Sequence, residues 1–304
     1  MTLRVFEAFA GYGSQSMALK RLNIPFEVVG ISEIDTHAVK SYHAVHGDVL
    51  NYGDIQQINP TELPNFDLFT YSFPCQDLSV AGHQRGIVRG QTRSGLLYEC
   101  EKIIEAKRPR FLLLENVKNL ISKRFKPQFE EWLSYLESLG YTNYWQVLDS
   151  SDYGIPQHRE RVFVVSILGE HQPYSFPKPF PLTTSVQDLL ETDIDSKYLM
   201  SPVAIEKMKR YAPRQLTSST VAPTLTTELS HGTGKNFHPR WVKLIGNYRM
   251  PTPTECLRLM GVSETDIEKM ITSGVSNTQL YKQAGNSIVV PVLEAIFKSM
   301  FSHL

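Results

Sequence analysis

A short apolar run from Leu3 to Phe9 reads as a strand, Gly11 and Gly13 interrupt it, and Ser14 to Leu22 then takes up helical spacing. The succession repeats along the chain. Phe26 to Ser32 is strand-like, passes through Glu33-Ile34-Asp35 and gives way to a helix through Ala38 and Tyr42. Asp67 to Ser72 is a third strand, placed just before Phe73-Pro74-Cys75. A helix is expected from Gly95 to Lys107, and Phe111 to Leu114 is a purely apolar fourth strand ending at Glu115. Short apolar strands alternating with helices imply a mostly parallel sheet covered on both faces, a doubly wound α/β lobe. Asn143 to Leu148 and Arg161 to Leu168 are two further strands. Only a dozen residues join them, Gly154 and Pro156 included, too few for a helical crossover, so the second should run antiparallel to the first. Pro173, Pro177, Pro179 and Pro181 mark the passage out of this lobe. From about residue 182 to 248 the chain is rich in Thr, Ser and basic side chains without clear periodicity, as in a small irregular or β-rich domain. Leu280 to Phe297 closes the chain with an apolar helical pattern expected to return to the first lobe.

With 304 residues the chain can build one large core and a small appendage, enough to enclose a cofactor. No stretch approaches about 18 uninterrupted apolar residues, and Met1 to Phe6 runs straight into a strand pattern without a charged leader. An unexported, cytoplasmic protein with no membrane partner is the expectation. Cys75, Cys100 and Cys256 are too few and too scattered for a disulfide framework or a four-ligand zinc site, which fits a reducing compartment and leaves a thiol free to react. A formal net charge of zero argues against nucleic acid until its distribution is read. Between Lys197 and Met250 nine Lys and Arg face two acids, Glu206 and Glu228, whereas residues 1–70 hold four basic and eight acidic side chains. A neutral total thus hides a basic face, which is either a DNA surface or simply solvated.

Open parallel sheets collect ligands outside the carboxyl ends of their strands. Gly11 and Gly13 follow the first strand, Glu33 the second, Pro74-Cys75 the third and Glu115 the fourth, with Arg159 and Arg161 on the same rim if the last strand is antiparallel. One pocket would gather them all. Gly11-Tyr12-Gly13 lets backbone approach a ligand and Glu33 can hold a ribose diol, which suits an adenosine cofactor. Ser16 stands where the NAD pattern G-x-G-x-x-G requires glycine, and a plain structural turn is the alternative. Asp54 in Gly53-Asp54-Ile55 can receive an adenine amino group with Ile55 against the ring, or merely close a turn. A cysteine after an apolar strand is usually a buried small side chain. Here Pro74 stiffens the chain before the thiol, and a glycine-rich stretch follows (Ser79, Ala81, Gly82, Gly86, Gly90) in which Arg85, Arg89 and Arg93 meet no acid between Gly82 and Leu97. Such a stretch has the composition of a lid that closes over phosphates. Glu115, behind Leu112-Leu113-Leu114, should be partly desolvated and able to share a proton near neutrality, with a capping acid as the other reading. Arg159 and Arg161 share one face of an extended segment, where their guanidinium forks can orient a carboxylate and a base carbonyl, or serve a surface ion pair with Glu160.

Taken in order, these motifs resemble those of the bacterial cytosine-5 DNA methyltransferases of restriction-modification type over nearly the whole chain. They are Phe9-Ala10-Gly11-Tyr12-Gly13, Glu33, Gly53-Asp54-Ile55, Pro74-Cys75-Gln76 with Ser79 and Gly82, Glu115-Asn116-Val117, Gln157 to Arg161, Pro253-Thr254-Glu255 with Arg258-Leu259-Met260-Gly261, and Gln283-Ala284-Gly285-Asn286-Ser287. Ser14 departs from the family, which usually has a second consecutive glycine there. The resemblance implies a Rossmann-like methyltransferase sheet formed by residues 1–175 and 275–304, with residues 176–274 as a small target-recognition domain. It implies S-adenosylmethionine as methyl donor, no metal, Cys75 as nucleophile on a flipped cytosine, and Glu115, Arg159 and Arg161 as its catalytic partners. Cofactor contacts fall by the same resemblance to Phe9, Gly11, Gly13, Glu33, Ile34, Asp54, Ile55, Pro74, Leu97, Asn286 and Ser287. Contacts to double-stranded DNA fall to Gln76, Ser79, Arg85, Thr226 and Thr227, with the Gly232-Thr233-Gly234 loop as a further groove reader. A nucleoid-associated monomer beside a cognate restriction endonuclease, without a stable complex, is the expected setting. A tRNA-cytosine methyltransferase is disfavoured by the missing Cys-Phe-Thr signature, a silent DNA-binding homologue by the intact Cys75 and Glu115, and a nucleotide-dependent oxidoreductase rests on the glycine turn and Glu33 alone.

Overall fold

The computed structural model describes residues 2–78, 85–199, 201–203, 206, 221–227, 242–244 and 247–301. Six strands form one sheet: β1 (Leu3–Ala8), β2 (Phe26–Ser32), β3 (Leu68–Tyr71), β4 (Phe111–Val117), β5 (Tyr141–Asp149) and β6 (Glu160–Leu168), in the order β2-β1-β3-β4-β6-β5. The first four are parallel, and β6 runs antiparallel to both β4 and β5. Alternate residues of each central strand enter opposite cores. Val5, Leu113 and Val165 face one side while Phe6, Leu112 and Val164 face the other, so an all-apolar strand is buried twice over.

The first core is closed by α1 (Ser14–Arg21), α5 (Pro253–Arg258), α6 (Glu264–Thr272), α7 (Asn277–Asn286) and α8 (Val290–Phe301), the second by α3 (Leu97–Lys107) and α4 (Lys126–Ser138). Helix α2 (Thr36–His46) packs against α6. Cys256, Leu257, Met260, Ile267 and Met270 share the core of β1, so α5 and α6 pack on the large lobe. The one-turn segment Val186–Leu189 rests on this core through Leu189, and beside it come the one-turn segment Ser196–Tyr198 and a two-stranded ribbon, β7 (Val242–Leu244) with β8 (Asn247–Arg249).

Three local departures from the sequence pattern matter for the site. Phe9 leaves the strand with φ +55°, turning the chain toward the sheet's carboxyl edge one residue early. β4 outruns β3: its last residue paired with β3 is Leu114, and Glu115 to Val117 pair only with β6. The gap left beside them receives Ser72 to Cys75, tied down where Asn116 Nδ2 donates to Phe73 O at 3.0 Å. The apolar stretch expected as one closing helix is two. Pro291 has no N–H to offer the Ser287 carbonyl, and that oxygen instead accepts Arg159 Nη2 at 2.7 Å, so α7 ends and α8 begins anew.

Candidate active site

A cavity of about 340 Å³ opens at the carboxyl ends of β1 to β4. One end is lined by Phe9, Gly11, Glu33, Ile34, Asp54 and Ile55, the other by Cys75, Glu115, Arg159 and Arg161, with Pro74, Asn286 and Ser287 between the walls. Residues spread over 279 positions thus share one space, as the sheet topology requires.

At the first end Glu33 is held in place by its neighbours. Its Oε2 accepts Gly11 N at 2.9 Å, its Oε1 accepts Asp35 N at 2.8 Å, and its own amide donates to Asn51 Oδ1. Each carboxylate oxygen keeps a second lone pair. Ile34 beside it is 62% exposed, an unusual state for isoleucine, and Ile55 is buried below. Asp54 accepts Gln56 N and so caps a short turn at the cavity wall. A Cβ on Gly11 would project into open space, so the glycine leaves room that a ligand can use. A diol acceptor, an exposed apolar shelf and a bare backbone turn together fit an adenosine group.

Gly13 and Leu97, both expected to touch cofactor, do not line this space. Gly13 has φ +83° and a Cβ there would lie 2.4 Å from His46 Nε2, so close packing of α1 on α2 demands it. Leu97 is buried in the second core, and its neighbour Leu96 reaches the cavity instead. The arginines after the nucleophile also differ from expectation. The window from Gly82 to Leu97 contains no acid, yet Arg85 pairs with Asp77 at 2.9 Å and Arg89 with Glu101 at 2.6 Å, while Arg93 donates to Gln76 at 2.7 Å. Their partners simply lie outside that window. Ser79, Gly82 and the Gly232-Thr233-Gly234 loop fall outside the described residues.

At the second end Arg159 is almost fully buried and braced on three sides. Nη1 donates to Leu225 O, and Nη2 to Gly285 O and Ser287 O. Its Nε is buried without a protein partner. Arg161 Nε lies 3.2 Å from Glu115 Oε1. Gln157, which the sequence grouped with these arginines, is structural: buried, it donates to Leu259 O and accepts Leu225 N. Thr224 Oγ1 donates to His158 O, so the strip 224–227 is fastened to the rim of the cavity. Thr226 and Thr227 lie against Gly285, where a Cβ would come within 2.5 Å of their backbone atoms.

A model of the C-5 cytosine-specific DNA methylase family matches residues 3–244 and 224–302 of this sequence. The chain belongs to that family. It is accordingly a DNA cytosine-5 methyltransferase, and enzymes of this family take the methyl group from S-adenosylmethionine. Among similar proteins, the type II methyltransferase M2.ScrFI of Lactococcus lactis subsp. cremoris is 43% identical over 98% of this chain and 99% of its own. The type II methyltransferase M.NlaX of Neisseria lactamica is 33% identical over 98% and 96%. Solved structures of the Schizosaccharomyces pombe Dnmt2 methyltransferase (TM-score 0.77, 22% identity, 99% and 98% covered) and of the Entamoeba histolytica methyltransferase EhMeth (TM-score 0.81, 19% identity, 99% and 98% covered) share the fold. Family membership removes the oxidoreductase reading.

Burial governs the charges of the methylase cavity. It pushes the Glu115 carboxyl above its ordinary value, against the opposing pull of Arg161 and Arg159. It also raises the Cys75 thiol, and the Glu115 charge adds to that, while the same two arginines work the other way. Desolvation with the neighbouring Arg161 lowers Arg159 to about 9, still a cation near neutrality. At rest the site therefore favours a thiol, beside a carboxyl group whose proton affinity burial has increased.

Proposed function

We propose that this methylase acts on a cytosine swung out of double-stranded DNA, with Cys75 as the nucleophile and Glu115, Arg159 and Arg161 as its partners. The observation that carries the proposal is the single cavity in which Cys75 and Glu115 face the same space as Glu33, Ile34 and Asp54. Carbon 5 of cytosine is a poor nucleophile. Once the Cys75 thiol has given its proton to solvent, addition of the thiolate to carbon 6, with a proton shared from Glu115 to ring nitrogen 3, makes carbon 5 enamine-like. The unpartnered Arg159 Nε suits the base carbonyl oxygen, and Arg161 holds Glu115 in register. S-adenosylmethionine, bound along Phe9, Gly11, Glu33, Ile34, Asp54, Ile55, Pro74, Asn286 and Ser287, supplies an electrophilic methyl group. Once carbon 5 is alkylated, its proton passes to solvent, the proton on ring nitrogen 3 returns to Glu115, and the restored ring double bond expels Cys75 as thiolate. Drawing the base out of the duplex costs roughly a few kcal/mol.

We infer further that residues 176 to about 250 recognise the target, with Gln76, Ser79, Arg85, Thr226 and Thr227 touching DNA. Support comes from the cavity position of Gln76 and from the fastening of strip 224–227 to the cavity rim. A single chain carries every side chain named for the reaction, which favours a monomer. A DNA substrate favours a cytoplasmic enzyme at the nucleoid, and the naming of both relatives as type II methyltransferases favours a cognate endonuclease that forms no stable complex.

Cys75→Ser is expected to abolish methylation of duplex DNA while calorimetry shows cofactor binding intact, and duplex containing 5-fluorocytosine should become covalently trapped on the wild type. Trapping on any residue other than Cys75 would overturn the mechanism, and tRNA assayed in parallel tests the substrate.

A further inference from the structure

Asp77 follows the nucleophile by two residues and is fully buried, a rare state for an aspartate unless it is paired. Its two oxygens are divided between two tasks. Oδ1 accepts Arg85 Nε at 2.9 Å, while Oδ2 accepts the main-chain amides of Arg93 at 2.9 Å and Ser94 at 3.3 Å. Its own carbonyl accepts Gly86 N at 3.0 Å. The two residues gripped by Oδ2 in turn bracket Cys75. Ser94 Oγ donates to Pro74 O at 2.7 Å on one side, and Arg93 Nη1 donates to Gln76 Oε1 at 2.7 Å on the other.

We propose that Asp77 is a positioning residue for the methyl-transfer reaction: its carboxylate clamps Arg93 and Ser94 onto the Pro74-Cys75-Gln76 turn and thereby fixes the direction from which the sulfur meets the base. It touches neither base nor cofactor. An amide in its place keeps one acceptor oxygen and turns an NH2 group toward donors on the other side, so either Arg85 or the Arg93 and Ser94 amides lose their partner. The resulting drift of the thiol is of the kind that costs rate rather than affinity. This inference rests on Cys75 being the nucleophile.

The test is the rate of covalent trapping on 5-fluorocytosine duplex, measured with saturating cofactor on the full chain, alongside cofactor and DNA dissociation constants. Read at saturating duplex, which removes any change in DNA affinity passed on through Arg85 and Gln76, Asp77→Asn should slow trapping about a hundred-fold, the penalty of a misplacement near 1 Å, while the cofactor dissociation constant stays at its wild-type value. Asp77→Glu, which restores the anion, should recover part of that loss. Ser94→Ala removes only the grip on Pro74 and is nearly isosteric, so it tests the same chain of contacts in a protein that folds. It should slow trapping in the same sense, and the double variant Asp77→Asn/Ser94→Ala should be no slower than Asp77→Asn alone. Wild-type trapping rates in Asp77→Asn, multiplying effects in the double variant, or a rate loss that merely tracks lost cofactor binding would each overturn the proposal. Wild-type protein trapped elsewhere than on Cys75 would instead end the nucleophile assignment on which it rests.

Discussion

Glu7 lies in the middle of β1 with no exposed surface, and its hydrogen-bond donors are all neutral: Ser16 Oγ at 2.8 Å, Tyr42 O–H at 2.9 Å and the Ser16 main-chain amide. Burial outweighs all three and lifts its pKa from 4.5 to about 7. A carboxyl whose folded value is raised stabilises the fold fully below its unfolded value, and that contribution is lost as pH rises through the folded one. The span from 4.5 to about 7 corresponds to about 3 kcal/mol between acid and alkaline conditions. Glu7→Gln should therefore melt higher than wild type at about pH 8.5 and nearly level with it at about pH 5. A calorimetric scan at both values checks this, and equal shifts at both would contradict it. Glu115 is raised by the same cause, yet it faces two guanidinium groups and an open cavity, which is the difference between a buried acid that only packs and one that can exchange a proton. No pattern in the sequence separates the two, since each is an acid in or behind an apolar run.

Arg249, the last residue of β8, and Glu255, in the first turn of α5, form a two-pronged ion pair with essentially no solvent exposure. Glu255 also accepts Thr252 N and Glu191 N, so one carboxylate ties the ribbon, the helix start and the segment before residue 199 together. Removing one member of such a pair strands a buried charge. Arg249→Ala should cost about 3 to 5 kcal/mol in urea unfolding, and a loss under about 1 kcal/mol would show that water reaches the site. At this scale the sequence read well where periodicity is strong: all six strands of the main sheet and the antiparallel turn of β6 are visible in it. It read poorly at element ends. The single apolar pattern from Leu280 to Phe297 hid a break that depends on Pro291 and on Arg159, 132 residues earlier in the sequence. Helix α4 went unmarked, although Phe129, Trp132, Leu133 and Leu136 recur along it at helical spacing and pack on the second core.

Across the whole molecule, the join between the catalytic lobe and the strip 224–227 runs through Gly285, whose missing side chain admits the backbone of Thr226 and Thr227. Gly285→Ala should force that contact apart at about 1 to 3 kcal/mol and weaken DNA binding more than cofactor binding, as gel shift and calorimetry would report. Equal weakening of both would place the damage in the cavity itself. What the sequence determined alone was the kind of machine: apolar strands with acids, glycines and a cysteine at their carboxyl ends already imply a sheet with a ligand rim, because strand period and strand direction are local properties. The motifs also sufficed for the family. Only the tertiary structure decided which of the motif residues line the cavity and which serve the frame. Gly13, Leu97 and Gln157 turned out to pack, the lid arginines found partners at Asp77, Glu101 and Gln76, and Asp77 emerged as the clamp beside the nucleophile. The reason is physical: a hydrogen bond or a buried charge acquires its meaning from atoms distant in sequence, and no periodicity along the chain records where those atoms will be.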